Sequence, residues 1–343
     1  MPEPGRRTFW QRIKPFVPWL GWIAGILIIA LLIHRNGDDI VKLKNRQINW
    51  TAAIGALLLC GVSLLLTFLR WWLLIWGLDF DVRFRDAVRL GFVGYLCNYL
   101  GPGAAGGDLV KAVFVAKGQS SRRAAVAATV FLDRLLGLLA LFMVGGLASL
   151  IPRDWHAQSE TVFNSFKVVY WGASLAGLAG LIVIMIPALT RSTWWNPLFK
   201  LPFVGRILAE LVQGIMLYQS RPRVIVWSVL ISLLGHVGML STFYLCGLAV
   251  NPAEGLPDYV THLQLIPAAE VAGVMAVFIP GGVGVLEGAI GFSYNLAGAP
   301  EANGILTGVA FRVISVLMSI PGLFYYLASL QQYRAAMKEA ESK

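Results

Sequence analysis

The sequence predicts an all-α polytopic membrane protein, with about six membrane-crossing helices and two re-entrant helical hairpins in an inverted repeat. Composition is the first reason, because 57% of the 343 residues are hydrophobic and only 13% are charged, whereas a soluble domain has about 25% charged residues. Long apolar runs are the second reason, and a Pro-Gly motif that occurs twice is the third. No alternating strand pattern occurs, so the runs are predicted to be helices.

The apolar runs reach the roughly 20 residues that a helix needs to cross a hydrocarbon core of about 30 Å. They are 16–33, 51–77, 124–150, 168–189, 224–250 and 304–330, within a single transmembrane domain of residues 1–343. Basic residues are concentrated in the N-terminal arm and in 190–223, which the positive-inside rule places in the cytoplasm. Both termini are then cytoplasmic, although the basic loop 34–50 falls outside against that rule. We expect 190–223 to be an amphipathic cytoplasmic segment.

Two further apolar stretches do not fit a simple crossing. Residues 87–100 are too few to cross and end in the motif NYLGPGAAGGDLVKA, whereas 262–298 is interrupted by Pro267, Glu270 and the motif FIPGGVGVLEG. We expect each stretch to form a hairpin that enters the membrane and returns on the same side. Non-helical backbone survives at such depth only where protein or a water-filled cavity surrounds it. The motifs are therefore predicted to line a cavity.

The two hairpin motifs belong to an internal repeat. GPGAAGGD and PGGVGVLE both run from Pro-Gly through further glycines to an acid, and Arg134 and Arg312 each follow 32 residues after the proline. Each half, 51–150 and 224–330, then consists of a span, a hairpin and a span with a central arginine. Inverted repeats with broken helices near the midplane are typical of secondary transporters. The site is expected where the two hairpin tips face each other.

Charged residues within apolar segments mark the candidate site, because a charge near the bilayer centre costs from about 3 to over 10 kcal/mol. Arginine suits an anionic headgroup, since its guanidinium binds phosphate in a bidentate fork. The candidate headgroup ligands are Arg70, Asn98, Lys111, Arg134 and Arg312. The candidate charge partners or proton-coupling acids are Asp108, Asp133, Glu270 and Glu287.

The same charges permit a second interpretation, in which acids and arginines only clamp helices together. Asp133 and Arg134 are neighbours and point about 100° apart, so each needs a partner on a different helix. Arg70 adjoins Trp71 and Trp72, and for it snorkelling to the interface is an equal alternative. The histidines and cysteines are scattered, and no metal site is expected.

The glycine-rich motifs also have two interpretations. Glycines that open a helix would add backbone N–H donors for an anion, whereas small residues also allow close helix packing in any membrane bundle. The motif residues are Pro102, Gly103, Gly106, Gly107, Asp108, Pro280, Gly281, Gly282, Gly284 and Glu287.

Three motifs resemble a known family. NYLGPGAAGGDLVKA, FLDRLLGL and IPGGVGVLEGAI, in that order, resemble the membrane region of lysylphosphatidylglycerol synthases, a family that includes the UPF0104 proteins and the flippase region of MprF. The resemblance covers about 10–335 and implies that the motif residues handle lipid, with Asp133 and Arg134 matching the family's acid-Arg pair. In the synthases a separate soluble domain makes the aminoacyl-lipid. Only QQYRAAMKEAESK follows Leu330, so that domain is not expected here.

We therefore expect a lipid translocase, a flippase- or scramblase-like carrier, in the inner membrane of a prokaryote. Its cargo would be a phospholipid such as phosphatidylglycerol or an aminoacylated derivative, or alternatively a polyprenyl-phosphate-linked lipid. The alternative function is that of a non-transporting partner of a lipid-modifying enzyme. The sequence has no P-loop and no nucleophile or metal-ligand arrangement, so we expect neither an enzyme nor a cofactor. Basic residues beside the spans indicate anionic phospholipids rather than nucleic acid, and a homo-oligomer is compatible with the sequence.

Overall fold

The computed structural model describes residues 47–100, 105–116, 123–155, 157–190, 212, 214–251, 255–276 and 279–328, with isolated positions between 23 and 34. This part of the chain contains helices and no strands. The predicted span 16–33, apart from those isolated positions, and residues 191–211 of the predicted amphipathic segment lie outside the described residues.

Ten α-helices follow one another along the described chain. They are α1 (Trp50–Trp76), α2 (Phe84–Leu100), α3 (Ala105–Ala116), α4 (Arg123–Ala148), α5 (Ala157–Met185), α6 (Pro187–Thr190), α7 (Pro222–Val250), α8 (Tyr259–Met275), α9 (Val285–Leu296) and α10 (Glu301–Ala328). Short 3-10 helices occupy Leu217–Ser220 and Pro280–Gly282. Among the described residues, 5 helices are long and apolar enough to cross a membrane, namely α1, α4, α5, α7 and α10. The prediction of an all-α polytopic membrane protein is confirmed.

The helix lengths follow the same order in both parts of the chain. Helices α1 to α4 have 27, 17, 12 and 26 residues, and α7 to α10 have 29, 17, 12 and 28. At 1.5 Å per residue, the short helices are about 18 to 26 Å long, which is less than the hydrocarbon thickness of about 30 Å. Each half therefore places two short helices around its Pro-Gly motif, between two long helices.

Helices α1 and α7 are antiparallel along their whole length. The Asn49 N–H at the start of α1 donates to the Ala249 carbonyl at the end of α7 (2.9 Å). At the other end, a Cβ added to Gly77 would lie 2.9 Å from the Val224 side chain. Equivalent helices in the two halves thus run in opposite directions at this seam.

The first short helix of each half packs against the last helix of the other half. Helix α2 contacts α10, and α8 contacts α4. Gly322 of α10 lies against the Phe92 carbonyl with no room for a side chain. The Gln264 amide of α8 donates to the Ala148 and Ile151 carbonyls at the end of α4, both at 2.9 Å. Each hairpin is therefore in contact with the other half of the chain.

Helix α5, which joins the halves, begins earlier than the predicted span 168–189. The residues before that span are already helical from Ala157 onwards. Phe163 explains the extension, because it is buried against Leu265 and stacks on Trp155 with ring centroids 4.7 Å apart. This part of α5 is polar in sequence, and a buried aromatic side chain stabilises the added helical turns.

Helix α5 also supports α8 at its internal proline. Pro267 has no N–H, so a helix loses one backbone hydrogen bond there. The Tyr170 hydroxyl donates to the Gln264 carbonyl (3.0 Å) and accepts from the Ala268 N–H (3.1 Å). This hydroxyl stands between two backbone groups that an unbroken helix would join directly. It fixes the position of the second half of α8, which includes Glu270.

The described end of the predicted cytoplasmic segment packs on the protein. Val212, Ile215 and Tyr218 are buried, and the Tyr218 hydroxyl donates to the Leu74 carbonyl at the end of α1 (2.8 Å). Their apolar side faces the ends of α1 and α7. These described residues pack against the helix bundle, and the cytoplasmic amphipathic segment expected over 190–223 stays a prediction.

Candidate functional site

The first Pro-Gly motif leads into an ion pair between α3 and α4. Asp108 lies in the first turn of α3, and its Oδ2 is 2.5 Å from Nε of Arg134. The Asn98 side chain at the end of α2 accepts a hydrogen bond from the Gly107 N–H (3.0 Å). Asn98 and Asp108 thus join the start of α3 to both neighbouring helices.

The second motif builds the corresponding ion pair. Nε of Arg312 donates to Oε1 of Glu287 (2.8 Å), and the other Glu287 oxygen accepts from the Gly284 N–H (2.7 Å). A terminal guanidinium nitrogen of Arg312 donates to the Gly281 carbonyl (2.6 Å). In both halves, the acid that ends the motif pairs with the arginine of the following long helix. Charge pairing between helices is therefore present at both predicted arginines, and headgroup binding stays a prediction.

Glycine is required at the second tip by the backbone itself. Gly281, Gly282 and Gly284 have φ angles of 61°, 63° and 85°, a region that side chains other than glycine rarely adopt. A Cβ added to Gly282 would also lie 2.6 Å from the Gly273 carbonyl oxygen. The tip can therefore fold back tightly onto the end of α8.

The second tip meets the end of α2, immediately before the first tip. A Cβ added to Gly281 would lie 2.8 Å from the Tyr99 ring, and the Arg312 guanidinium carbon is 6.0 Å from the centre of that ring. The Tyr99 hydroxyl is 3.3 Å from that of Tyr95. The two hairpins thus approach each other across an aromatic and cationic contact. Pro102 and Gly103 lie outside the described residues, and of Gly106 the helical backbone is described but not the surroundings.

The two ion pairs differ in accessibility. The side chains of Arg134 and Asp108 are 41% and 21% exposed, whereas those of Arg312 and Glu287 are 15% and 1% exposed. The pair at the first hairpin is therefore open to its surroundings, and the pair at the second hairpin is enclosed.

Lys111 adds a cation at the first hairpin. Its side chain is 10% exposed, and its ammonium nitrogen lies 4.0 Å from Oδ1 of Asp108 and 5.1 Å from the centre of the Trp71 ring. Among the described residues, no hydrogen-bond acceptor is within reach of this nitrogen. An ammonium has three N–H donors, so this buried group can still bind an anion.

Arg70 does not snorkel to the interface. Its side chain is 6% exposed and its Nε is 2.7 Å from Oδ1 of Asp133, while a terminal nitrogen donates to the Ser232 hydroxyl (2.9 Å). The pair joins α1, α4 and α7 inside the bundle, where desolvation makes pairing more favourable than a long reach to water. Asp133 and Arg134 do bind partners on different helices, as their 100° separation requires. In this conformation, Arg70 is a clamp and is not open to a headgroup.

Sequence reasoning missed His236 of α7. Its Nδ1 lies 3.9 Å from Oε2 of Glu270 on α8, and this nitrogen is buried without a hydrogen-bond partner in the described part of the chain. His236 looked isolated because its partner lies on another helix. His236 lies four residues after Ser232, so both side chains are on one face of the helix. This spacing is the sequence signal from which His236 could have been predicted.

The predicted site residues therefore form three groups. The first hairpin brings together Asn98, Gly107, Asp108, Lys111 and Arg134, and the second brings together Pro280, Gly281, Gly282, Gly284, Glu287 and Arg312. Arg70 and Asp133 form the clamp, and Glu270 lies beside His236. No group of three or more histidine, cysteine or acidic side chains suits a metal ion within the described ranges.

Comparison with known proteins agrees with the sequence motifs. The family model described as the lysylphosphatidylglycerol synthase transmembrane region matches residues 16–322. A UPF0104 membrane protein of Pyrococcus horikoshii is 26% identical over 317 residues, which cover 85% of this chain and 91% of the archaeal protein. No solved structure matches the chain. The match runs through all the described hairpin residues.

Proposed function

This chain belongs to the lysylphosphatidylglycerol synthase transmembrane-region family, and on that premise we propose that it is a lipid translocase. The proposed cargo is phosphatidylglycerol or an aminoacylated derivative, whose headgroup moves between the leaflets past the two hairpin tips. The family name associates such membrane regions with lipid. The proposed setting is a prokaryotic inner membrane with both termini in the cytoplasm, and the proposed role is transport rather than catalysis.

The observation that carries the proposal is the buried Lys111 ammonium beside the first tip. It adds a third cation to Arg70 and Arg134, whereas Asp108 and Asp133 supply two carboxylates around them. Counted over these five described side chains, there is one positive charge in excess. A phosphodiester headgroup carries one negative charge, and a buried charge is stable only when it is paired. A lipid phosphate bound here would complete the charge balance and bring acceptor oxygens to Lys111.

The arrangement of the two hairpins supports movement rather than storage of the lipid. Antiparallel α1 and α7 give the two halves opposite directions, so hairpins on equivalent helices would open toward opposite membrane surfaces. In this conformation the Asp108–Arg134 pair is accessible and the Glu287–Arg312 pair is enclosed. Opening the second pair while the first closes would pass the headgroup between leaflets as its acyl chains remain in lipid.

Leaflet exchange of labelled phosphatidylglycerol in proteoliposomes tests this proposal. Lys111→Met keeps the length of the side chain and removes the ammonium. We expect exchange to fall at least tenfold, because a hydrogen bond to a charged group contributes about 1.5 to 3 kcal/mol. The matched control is Lys167→Met, which removes an ammonium that lies 5.5 Å from the Phe163 ring on α5. This control should exchange lipid at the wild-type rate.

Two results would count against the proposal. Equal exchange by Lys111→Met and wild type would remove Lys111 from the lipid path. Absence of exchange of phosphatidylglycerol, its aminoacylated analogue and a polyprenyl phosphate by folded wild-type protein would contradict transport itself. Stoichiometric co-purification of a lipid-modifying enzyme would then favour the role of a partner subunit.

A further inference from the structure

A polar seam lies between α7 and α8. A Cβ added to Gly137 of α4 would lie 3.2 Å from a guanidinium nitrogen of Arg70 and 3.6 Å from Nε2 of His236. The other ring nitrogen of His236 points toward Glu270, at 3.9 Å. The Arg70–Asp133 clamp, His236 and Glu270 therefore succeed one another across the bundle.

The His236–Glu270 pair is incomplete as it stands. The side chains are 25% and 16% exposed, and 3.9 Å between Nδ1 and Oε2 is too long for a hydrogen bond. No other partner for Nδ1 occurs among the described residues. A proton on Nδ1 would give that nitrogen an N–H to donate to Glu270, and it would draw α7 and α8 together.

We propose that His236 and Glu270 bind one proton between them and that this proton is coupled to lipid movement; the coupling rests on the translocase function proposed above. The proton comes from water, is held by Nδ1 of His236 or by the Glu270 carboxyl group, and returns to water on the other side. No covalent bond to the lipid forms or breaks.

The charges that face the pair come from the helices packed on it. Arg70 of α1 and Asp133 of α4 already neutralise each other beside His236. Helix α5 contributes the Tyr170 hydroxyl at Ala268, and α9 and α10 contribute Glu287 and Arg312, which are paired with each other. These acids and arginines are charge-paired, although one terminal nitrogen of Arg312 is buried without a hydrogen-bond partner among the described residues, so gain or loss of one proton changes the net charge of the seam mainly through His236 and Glu270.

Helix α8 connects this seam to the second tip. Glu270 lies one turn before Gly273, whose carbonyl is in contact with the backbone of Gly282 at the tip. Gly281 in turn accepts the hydrogen bond from Arg312 and contacts Tyr99. Movement of α8 toward α7 would therefore displace the tip that encloses the second ion pair. In this way, binding of the proton would move the tip beside which the lipid headgroup is proposed to pass.

A proton gradient should accumulate lipid in one leaflet. If one proton moves with each phosphatidylglycerol, then a gradient of one pH unit gives a roughly tenfold excess of lipid in the leaflet that faces the alkaline side. We would measure labelled phosphatidylglycerol in each leaflet of proteoliposomes with and without the gradient, in sodium-free buffer. Glu270→Gln and His236→Gln should show no accumulation of lipid. Glu160→Gln, an exposed acid on α5, is the matched control and should accumulate lipid as wild type does.

A titration that does not depend on transport separates the two proposals. The infrared band of protonated carboxyl groups should lose one titrating component in Glu270→Gln, and His236→Gln should shift the pH at which that component appears. A spectrum unchanged by Glu270→Gln would overturn the proton site, even if lipid exchange occurs. Equal accumulation by wild type and both variants would overturn the coupling. If no lipid is exchanged, the coupling falls with the translocase, and the titration decides the proton site alone.

Discussion

At the residue scale, both hairpins contain an acid–arginine ion pair, and they differ in one additional cation. Each motif acid pairs with an arginine 26 or 25 residues further along the chain. Lys111 has no cationic counterpart among the described residues of the second hairpin, where Arg312 instead bonds the tip carbonyl. The first hairpin therefore suits capture of an anion, and the second suits closure over it.

The clamp between Arg70 and Asp133 gives a test of stability. We expect Asp133→Leu to destabilise the protein by about 3 to 5 kcal/mol, because it leaves Arg70 buried with an uncompensated charge. Replacing both residues, as Arg70→Met with Asp133→Leu, should recover most of this loss, since no buried charge is left. Thermal unfolding midpoints of the purified variants in one detergent would measure the effect.

Additive losses in the double variant would contradict the clamp. They would mean that Arg70 and Asp133 stabilise the protein through separate contacts. Removing the second charge would then not offset the loss caused by removing the first. The Ser232 hydroxyl, which binds both Arg70 and the α7 backbone, would then be the partner to examine next.

The sequence predicted which residues belong to the site, but it did not predict all of their partners. The charges stood out because they interrupt apolar runs, and the repeat placed a motif acid and a later arginine in each half, but it did not assign which acid pairs with which arginine. Partners from distant helices leave no such signal. Arg70 with Asp133, and His236 with Glu270, are brought together only by the packing of α1, α4, α7 and α8.

At the element scale, small residues allow the hairpin helices to approach closely. A side chain at Gly107 of α3 would overlap the carbonyl oxygen of Gly94 on α2. At the second hairpin, a Cβ at Gly304 of α10 would lie 2.7 Å from Cα of Gly291 on α9. Close packing, the second interpretation of the glycine-rich motifs, therefore applies at Gly107, whereas donation of backbone N–H groups to an anion stays a prediction.

The substitution Gly107→Ala should therefore separate α2 from α3. We expect a loss of about 1 to 3 kcal/mol, as for other overpacked sites, and weaker exchange through displacement of Asp108. Gly180→Ala on α5 is the matched control, because nothing lies within 4 Å of a Cβ there. Thermal unfolding of both variants measures the difference, and equal midpoints would show that the hairpin is not closely packed in the membrane.

Element boundaries followed the sequence where a local signal exists. Asn49 and Asp258 each cap the helix that follows with a side-chain oxygen, and Pro222 opens α7, as their residue types predict. The start of α5 could not be predicted, because it depends on stacking of Phe163 with Trp155. Packing of Ile215 and Tyr218 on the bundle likewise depends on tertiary contacts.

At the scale of the whole molecule, the repeat accounts for the arrangement of the described helices. The order of long, short, short and long helices occurs twice, α1 and α7 are antiparallel, and each hairpin packs against the last helix of the other half. The motif order in the sequence predicted two similar halves. Hydropathy alone could not predict which helices pack together, because an apolar residue scores the same whether it faces lipid or the protein interior.

The central claim is that a lipid headgroup passes between tips that must separate. In a variant without Cys60, Cys97 and Cys246, we would place cysteines at Tyr99 and at Pro280, which lies in the 3-10 helix that contacts α2 and is not one of the positive-φ glycines, and join them with a short reducible thiol linker. We predict that quantitative cross-linking abolishes phosphatidylglycerol exchange, that reduction restores it, and that each single-cysteine variant is unaffected by the linker. Undiminished exchange by fully cross-linked protein would contradict the account, because the headgroup could then not pass between the tips.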